Sequence, residues 1–457
     1  MSDVEGMLPG ALAAWVEAVS GQSLRKVSPH FAGASREAWQ VDVGSEADGR
    51  ALFLLRDRGA KAGSARDAAV LAALASTPVP VPELIGWDAS LSAVLLERLP
   101  GRSDFPAVDR EEDREPTARH LMELTATLHR LDPAALEIEH LSLPERPEAC
   151  AGDTLEQARV ALAHLGEAAD PLFEFALGWL EREIPSHVER YCLVHSDMGP
   201  GNFLYEQGRV TGLVDWEVAH FGDPMEDLAA IAVRDIATPI GPLSSRFAEY
   251  EESGGPPVDS ARVEYYRALV LTRNSLMIGL GLADPPPGFD IVEMTMYQTS
   301  LMRAAALVLC DALGVDRPLP VPEEVLAEGP LVDAVRRDLR GVVEPALSDP
   351  AALRRLASIE RATATLDHAA RVGARLDRSD WEDLGSVLEG GPEDRSATQA
   401  ALRHAIREQV ATDAGLERRV AGYLARRMER LAERRRPLMG PLAERRPQTL
   451  AQTLESS

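Results

Sequence analysis

The chain has 457 residues, 45% of them apolar, and a formal charge of −25 at pH 7. That length exceeds one ordinary core and points to about three globular domains. The negative balance excludes a general nucleic-acid binder, which needs clustered positive charge, and no apolar run reaches the roughly 18 residues of a membrane span.

Cys150, Cys192 and Cys310 are far apart and lack metal-ligand spacing, so a reducing cytoplasm is the expected home. Met1-Ser2-Asp3-Val4-Glu5 carries acids where a secretory signal needs positive charge, and a soluble protein without a membrane partner is expected. Arginine is abundant while Lys26 and Lys61 are the only lysines, a bias of coding rather than of chemistry.

In chain order, Leu8, Leu12, Trp15 and Val19 recur at helical spacing. A turn-rich segment, Phe31 to Glu37 with Gly33 and Ser35 inside it, leads into an alternating strand from Ala38 to Val43. Glycine-containing turns between strands let backbone N–H groups approach phosphate oxygens, although an ordinary hairpin explains the same residues. Ala51 to Arg56 reads as the next strand, with Leu54 and Arg56 on one face. A helix is expected over Ser64 to Ala75, and Thr77 to Pro82 must be extended because each proline restricts the residue before it. A further strand covers Ala93 to Leu99, and Pro100-Gly101 closes the first lobe.

From Pro116 to Arg130 an amphipathic helix aligns Leu121, Leu124 and Leu128. His129 at its end reads as a cap on the C-terminal dipole. Two helices are expected within Leu155 to Leu180, before the apolar run Tyr191 to Val194.

That run delivers Val194-His195-Ser196-Asp197-Met198-Gly199-Pro200-Gly201-Asn202-Phe203-Leu204, followed by Gly212-Leu213-Val214-Asp215-Trp216-Glu217. Asp197 supplies a proton acceptor. Asn202 and Asp215 supply two oxygen ligands, the donor type that magnesium prefers alongside phosphates. Together they form a minimal set for phosphoryl transfer. A turn-forming strand pair is the bland alternative.

With Gly222-Asp223-Pro224 and Asp227-Leu228-Ala229, these segments resemble the aminoglycoside phosphotransferase family of small-molecule kinases. The resemblance implies an α+β, two-lobed protein-kinase-like fold with ATP and Mg²⁺ as cofactors. Asp197 would be the catalytic base, Asn202 and Asp215 the metal ligands, and His195 and Asp227 the supports of the loop.

In the first lobe the resemblance implies that Gly33 and Ser35 cover the nucleotide. Arg56 would reach its phosphates and pair with Asp67, and backbone groups near Glu97 and Leu99 would meet the adenine edge. The sequence departs from the subfamily's pattern at Ala32 and Ala38, which replace Gly and Thr, and at Asp67, where Glu is expected. Glu217 could serve a metal-bound water, a cationic substrate or solvent. Arg234-Asp235 lies on the helix after Asp227 and could face the substrate cleft.

Helix-rich segments follow at Tyr250 to Met277 and Ile291 to Leu313, split by Asp284 to Gly288. In the resembled family such helices build the acceptor pocket. Beyond the linker Pro318 to Pro322, helices are expected at Leu331–Leu347, Pro350–Leu376 and Ser396–Leu431, with interruptions at Pro345, Pro350, Gly373 and Gly415, an all-α appendix ending in a disordered tail after Pro437. Arg418, Arg419, Arg426, Arg427, Arg430 and Arg434 to Arg436 read as a solvated face, with an anionic partner, intramolecular docking or a second subunit as alternatives.

The expected domains are residues 1–102, 103–320 and 321–457. The expected acceptor is a hydroxyl on a small molecule, with an aminoglycoside-like compound or a hydroxyacyl thioester as candidates. The latter follows from resemblance to the kinase domains attached to acyl-CoA dehydrogenases. A non-catalytic nucleotide-binding or scaffold protein is the second reading. The short interval between Asp215 and Asp227 argues against a protein kinase.

Overall fold

The structure is a computed structural model, which describes residues 8–30, 36–58, 63–105, 111–286, 289–323, 329–388 and 395–450. Packing divides the chain into two units, Met1–Cys150 with His187–Asp259, and Ala151–Ser186 with Ser260–Ser457.

The first unit opens with α1 (Gly10–Ser20), then β1 (Leu24–His30), β2 (Arg36–Val43), β3 (Arg50–Asp57), α2 (Gly63–Leu74), β4 (Leu84–Asp88) and β5 (Ala93–Glu97). The five strands form an antiparallel sheet of order β1-β2-β3-β5-β4. Strand alternation sends Trp39, Val41, Leu52, Leu54 and Leu95 into one core with Leu12 and Val16 of α1. Leu54 therefore belongs to the face that α1 covers. Arg56 shares this face, and its guanidinium lies 5.8 Å from the Trp39 ring centroid. Arg36, three residues before Trp39, points to the other face and meets Asp67 of α2.

α3 (Glu111–Arg130) starts more than a turn before Pro116. Pro116 thus lies inside the helix, where it forgoes the N–H bond to the carbonyl four residues earlier and crowds that carbonyl, a local cost that the rest of the helix outweighs. The chain contributes α4 (Gly152–Leu165) and α5 (Pro171–Arg182) to the second unit and returns with β6 (Cys192–Val194), β7 (Phe203–Glu206), β8 (Arg209–Leu213) and β9 (His220–Gly222). β6 pairs with β9, and β7 with β8, both antiparallel. α6 (Met225–Ala237) and α7 (Leu243–Glu252) complete the first unit.

The second unit continues with α8 (Ser260–Ala283), α9 (Ile291–Ala312), α10 (Pro330–Asp338), α11 (Pro350–Val387), α12 (Arg395–Glu408) and α13 (Ala414–Arg434). Two expectations change here. α11 runs through Gly373, because one glycine costs a helix only about 1 kcal/mol. The chain after Pro437 is packed rather than disordered as far as Leu450. Met439, Leu442 and Leu450 are buried, and Met296 packs against the first two. Apolar side chains every few residues give that stretch something to bury.

The arginine face of α13 is solvated at Arg418 and Arg419, but from Arg426 to Arg434 it is paired with carboxylates. Arg426 pairs with Asp383 at 2.7 Å, Arg430 with Asp380 and Asp383 at 2.9 and 2.8 Å, Arg434 with Asp377, and Arg427 with Asp170. Spacings of three and four residues on both helices let α11 and α13 zip together. Among the described residues no helix is long and apolar enough to cross a membrane.

Candidate active site

The site is built in the first unit from two short antiparallel strand pairs, α6, and side chains from β2 and α2. The loop after β6 carries His195 to Asn202, and Asp215 follows β8 directly. A backbone bond from the Val214 N–H to the Asn202 carbonyl, 3.0 Å, joins loop and strand end. His195 adds a second tie. Its Nε2 lies 2.9 Å from the Val214 carbonyl, and its ring packs 4.5 Å from that of the buried Trp216.

Asp227, in the first turn of α6 and fully buried, accepts from the N–H groups of His195 (3.0 Å) and Ser196 (2.7 Å). Ser196 has a φ of 65°, a conformation that a non-glycine residue holds only when its surroundings impose it. The carboxylate of Asp227 also meets His129 Nε2 at 3.0 Å, while His129 Nδ1 lies 2.7 Å from the Tyr250 hydroxyl. His129 is thus not a helix cap but an inward-facing member of this network. Its spacing of eight from Leu121 puts it on the apolar stripe, a signal the end-of-helix reading overlooked. Burial pushes the Asp227 carboxyl up, but the His129 hydrogen bond and the loop amides hold it below the usual range.

Asp197 is gripped from two sides. Arg234 donates through Nε to Oδ1 at 3.0 Å and through Nη2 to Oδ2, and its Nη1 binds the Pro200 carbonyl at 2.7 Å. Asn202 Nδ2 donates to the Asp197 carbonyl and to Oδ2, both at 2.8 Å. Gly199, at φ 136°, makes room for this clasp, because a Cβ there would come within 2.9 Å of Arg234 Cδ. Burial raises the Asp197 carboxyl, and the Arg234 guanidinium outweighs that, so its pKa lies below the ordinary value. Its side chain keeps a third of its surface open. Asp227 and Arg234 are seven residues apart, two turns, and so face the loop from one side of α6.

Asp215 has a φ of 72° and a side chain 41% exposed. Its Oδ1 is 3.4 Å from Nη1 of Arg36, a buried guanidinium that also contacts Asp67, Glu217 (3.1 Å) and Asp57 (3.4 Å). Gly63, at the start of α2, permits this crowding, since a Cβ would lie 2.9 Å from Arg36 Nη2. Asp67 additionally accepts from the Trp216 N–H at 2.7 Å, tying α2 to the segment that bears Asp215. Burial drives the Asp67 carboxyl up to about 7 against the pull of Arg36.

The expected Arg56–Asp67 pair is not formed. Arg56 bonds Glu37, directly opposite it on β2. Strand parity is the reason: Arg56 projects to the α1 side with Trp39, and Arg36 projects to the α2 side.

Gly33 and Ser35 lie outside the described residues. The Glu97 N–H bonds the Glu83 carbonyl at 2.9 Å. Leu99 reaches Gly212 of β8, and its N–H has no hydrogen-bond partner among the described residues.

The donor set around Asn202 and Asp215 fits a hard cation. Both Asn202 donor bonds run to Asp197, which leaves the amide oxygen as an acceptor without a partner among the described residues. The exposed Asp215 carboxylate adds a second hard oxygen. Two protein oxygens suit magnesium, which keeps water and phosphate oxygens for its remaining positions.

The chain has a fold counterpart in a choline/ethanolamine kinase family protein from Mesorhizobium loti. It has a TM-score of 0.51 and 17% identity, over 65% of this chain and 92% of that one. Acyl-CoA dehydrogenase family member 11 of Rattus norvegicus is 28% identical over 198 residues, 41% of this chain and 25% of that protein. The Mus musculus protein of that name is 27% identical over the same shares. The chain spans about a quarter of the length of these curated relatives. Residues 26–263, which include every site residue described above, match the APH phosphotransferase enzyme family, and the chain belongs to that family.

Proposed function

We propose that the protein transfers the γ-phosphoryl group of ATP, with magnesium, to a hydroxyl of a small molecule. The observation that carries this reading is the clasp on Asp197. Here is a carboxylate kept ionised, held in one orientation by Arg234 and Asn202, and still open on one side. In a loose phosphoryl-transfer transition state the protein contributes mostly position and charge neutralisation, and the base receives its proton late. Asp197 orients the acceptor hydroxyl and takes that proton. Asn202 and Asp215 hold magnesium, and the chemistry it supplies when bound is neutralisation of phosphate charge. The open N–H of Leu99 faces an adenine edge in this reading.

The acceptor is a polar metabolite, with a hydroxyacyl thioester and an aminoglycoside-like compound as the two classes to test. The similarity to acyl-CoA dehydrogenase family member 11 favours the thioester.

One observation favours a second reading, a nucleotide-binding or scaffold protein without transfer. The Arg36 guanidinium touches Asp215, where a metal cation would otherwise balance the charge.

Phosphorus NMR separates the two. The protein is incubated with Mg²⁺, ATP and hydroxyacyl thioesters, aminoglycosides or a polar metabolite extract, beside an Asp197→Asn control. A new phosphomonoester signal, slower in the control by about 10²- to 10⁴-fold, is the expected result. Bound ATP with no new signal from any acceptor would favour the scaffold.

A further inference from the structure

The second unit contains a cavity of about 490 Å³ to which the reading above assigns no role. It is framed by the ends of α4 and α8, the start of α5, the middle of α9, and α11 and α13. No residue of the first unit lines it. Leu165, Phe173, Leu282, Met302, Leu376 and Leu431 contribute apolar wall.

The opposite wall is charged, and its charges do not cancel. Arg427, Arg430 and Arg434 are matched by Asp170, Asp380 and Asp377 in the pairs described above. Arg435 is left over. Nη1 donates to Thr299 Oγ1 at 2.8 Å, and no carboxylate lies within ion-pair distance of it among the described residues. Burial, with Arg434 beside it, pushes its pKa down against the weaker, more distant pull of Asp170, which is already paired with Arg427. A desolvated guanidinium without an anion is costly, and its planar fork matches a carboxylate in a bidentate pair.

We propose that this cavity binds a small amphipathic monocarboxylate, its carboxylate on Arg435 and its hydrocarbon part along the apolar wall. A single surplus charge selects a single anionic charge, so a carboxylate fits better than a phosphate monoester dianion.

Isothermal titration calorimetry of the full chain with octanoate, octyl phosphate and octanol tests this. Octanoate is expected to bind saturably at one site, more tightly than the other two, and equally well to Asp197→Asn. Arg435→Gln should weaken octanoate about tenfold or more, the scale of a lost charged hydrogen bond, and Arg435→Lys should weaken it less. Met302→Trp fills the apolar side without altering the charge, and should weaken binding by about the same factor if Arg435→Gln fails to fold. Unchanged octanoate affinity in either Arg435→Gln or Met302→Trp, octanol or octyl phosphate binding as tightly as octanoate, or no saturable heat at millimolar octanoate would overturn the proposal.

Discussion

The residues of the site divide into those that would meet substrate and those that hold them in place. Arg234 belongs to the second group, and its effect on Asp197 is electrostatic as well as geometric. Burial alone would raise the carboxyl, and the guanidinium holds it low. Arg234→Gln should therefore move the acid limb of the kcat/KM profile to higher pH, because the base must be ionised to accept a proton. A lower rate with an unmoved limb would reduce Arg234 to packing.

Arg36 is the other cation with consequences. Its guanidinium is buried among Asp57, Asp67, Asp215 and Glu217, so Arg36→Met removes the counter-charge of a buried carboxylate. About 3 to 5 kcal/mol of stability should be lost, read as a lower midpoint in urea unfolding. A loss below about 1 kcal/mol would mean that the remaining groups relax into water.

At the scale of elements, β9 and α6 are joined by an ion pair that reports on pH. His220 Nε2 lies 3.2 Å from Glu226 Oε2, and Ser196 Oγ donates to the other oxygen at 2.6 Å, so strand, helix and catalytic loop share one buried carboxylate. Burial lowers the His220 pKa, and Glu226 overrides it, raising the value from 6.5 to about 9. The folded state therefore binds the proton more tightly than the unfolded chain. The stabilisation is complete below pH 6.5 and is lost as pH rises through 9. At about 1.4 kcal/mol per pH unit, the loss amounts to roughly 3 kcal/mol. Urea unfolding across that window should show the decline, and His220→Gln should flatten it.

Much of this level could be read in advance. The strands around Trp39 and Leu54 and the amphipathic stripe of α3 follow from periods of two and 3.6 residues. Direction of projection was harder. The expected Arg56–Asp67 pair depended on which sheet face α2 covers, and α1 covers the face that carries Arg56.

For the whole molecule, the formal charge of −25 sets a background of self-repulsion. Much of the positive charge is spent locally, as in the α11–α13 zipper, where the partners are partly buried and only weakly screened. Added sodium chloride should thus relieve the net repulsion more than it weakens these pairs, and the melting temperature should rise by a few degrees. A fall would show that exposed ion pairs dominate.

By itself the sequence pointed to the family and to the kind of chemistry proposed, because Asp197, Asn202 and Asp215 lie within nineteen residues and their side-chain types suit a base and two hard ligands. It also determined most helices and strands, through periodicity. Only the tertiary structure decided which charges meet: Arg36 rather than Arg56 at Asp67, Arg234 on Asp197, His129 on Asp227, and the α13 arginines on α11. Local pattern records which residues are polar, but a charge finds its partner across tens or hundreds of residues, and that choice is made by the packing of helix faces and by strand parity.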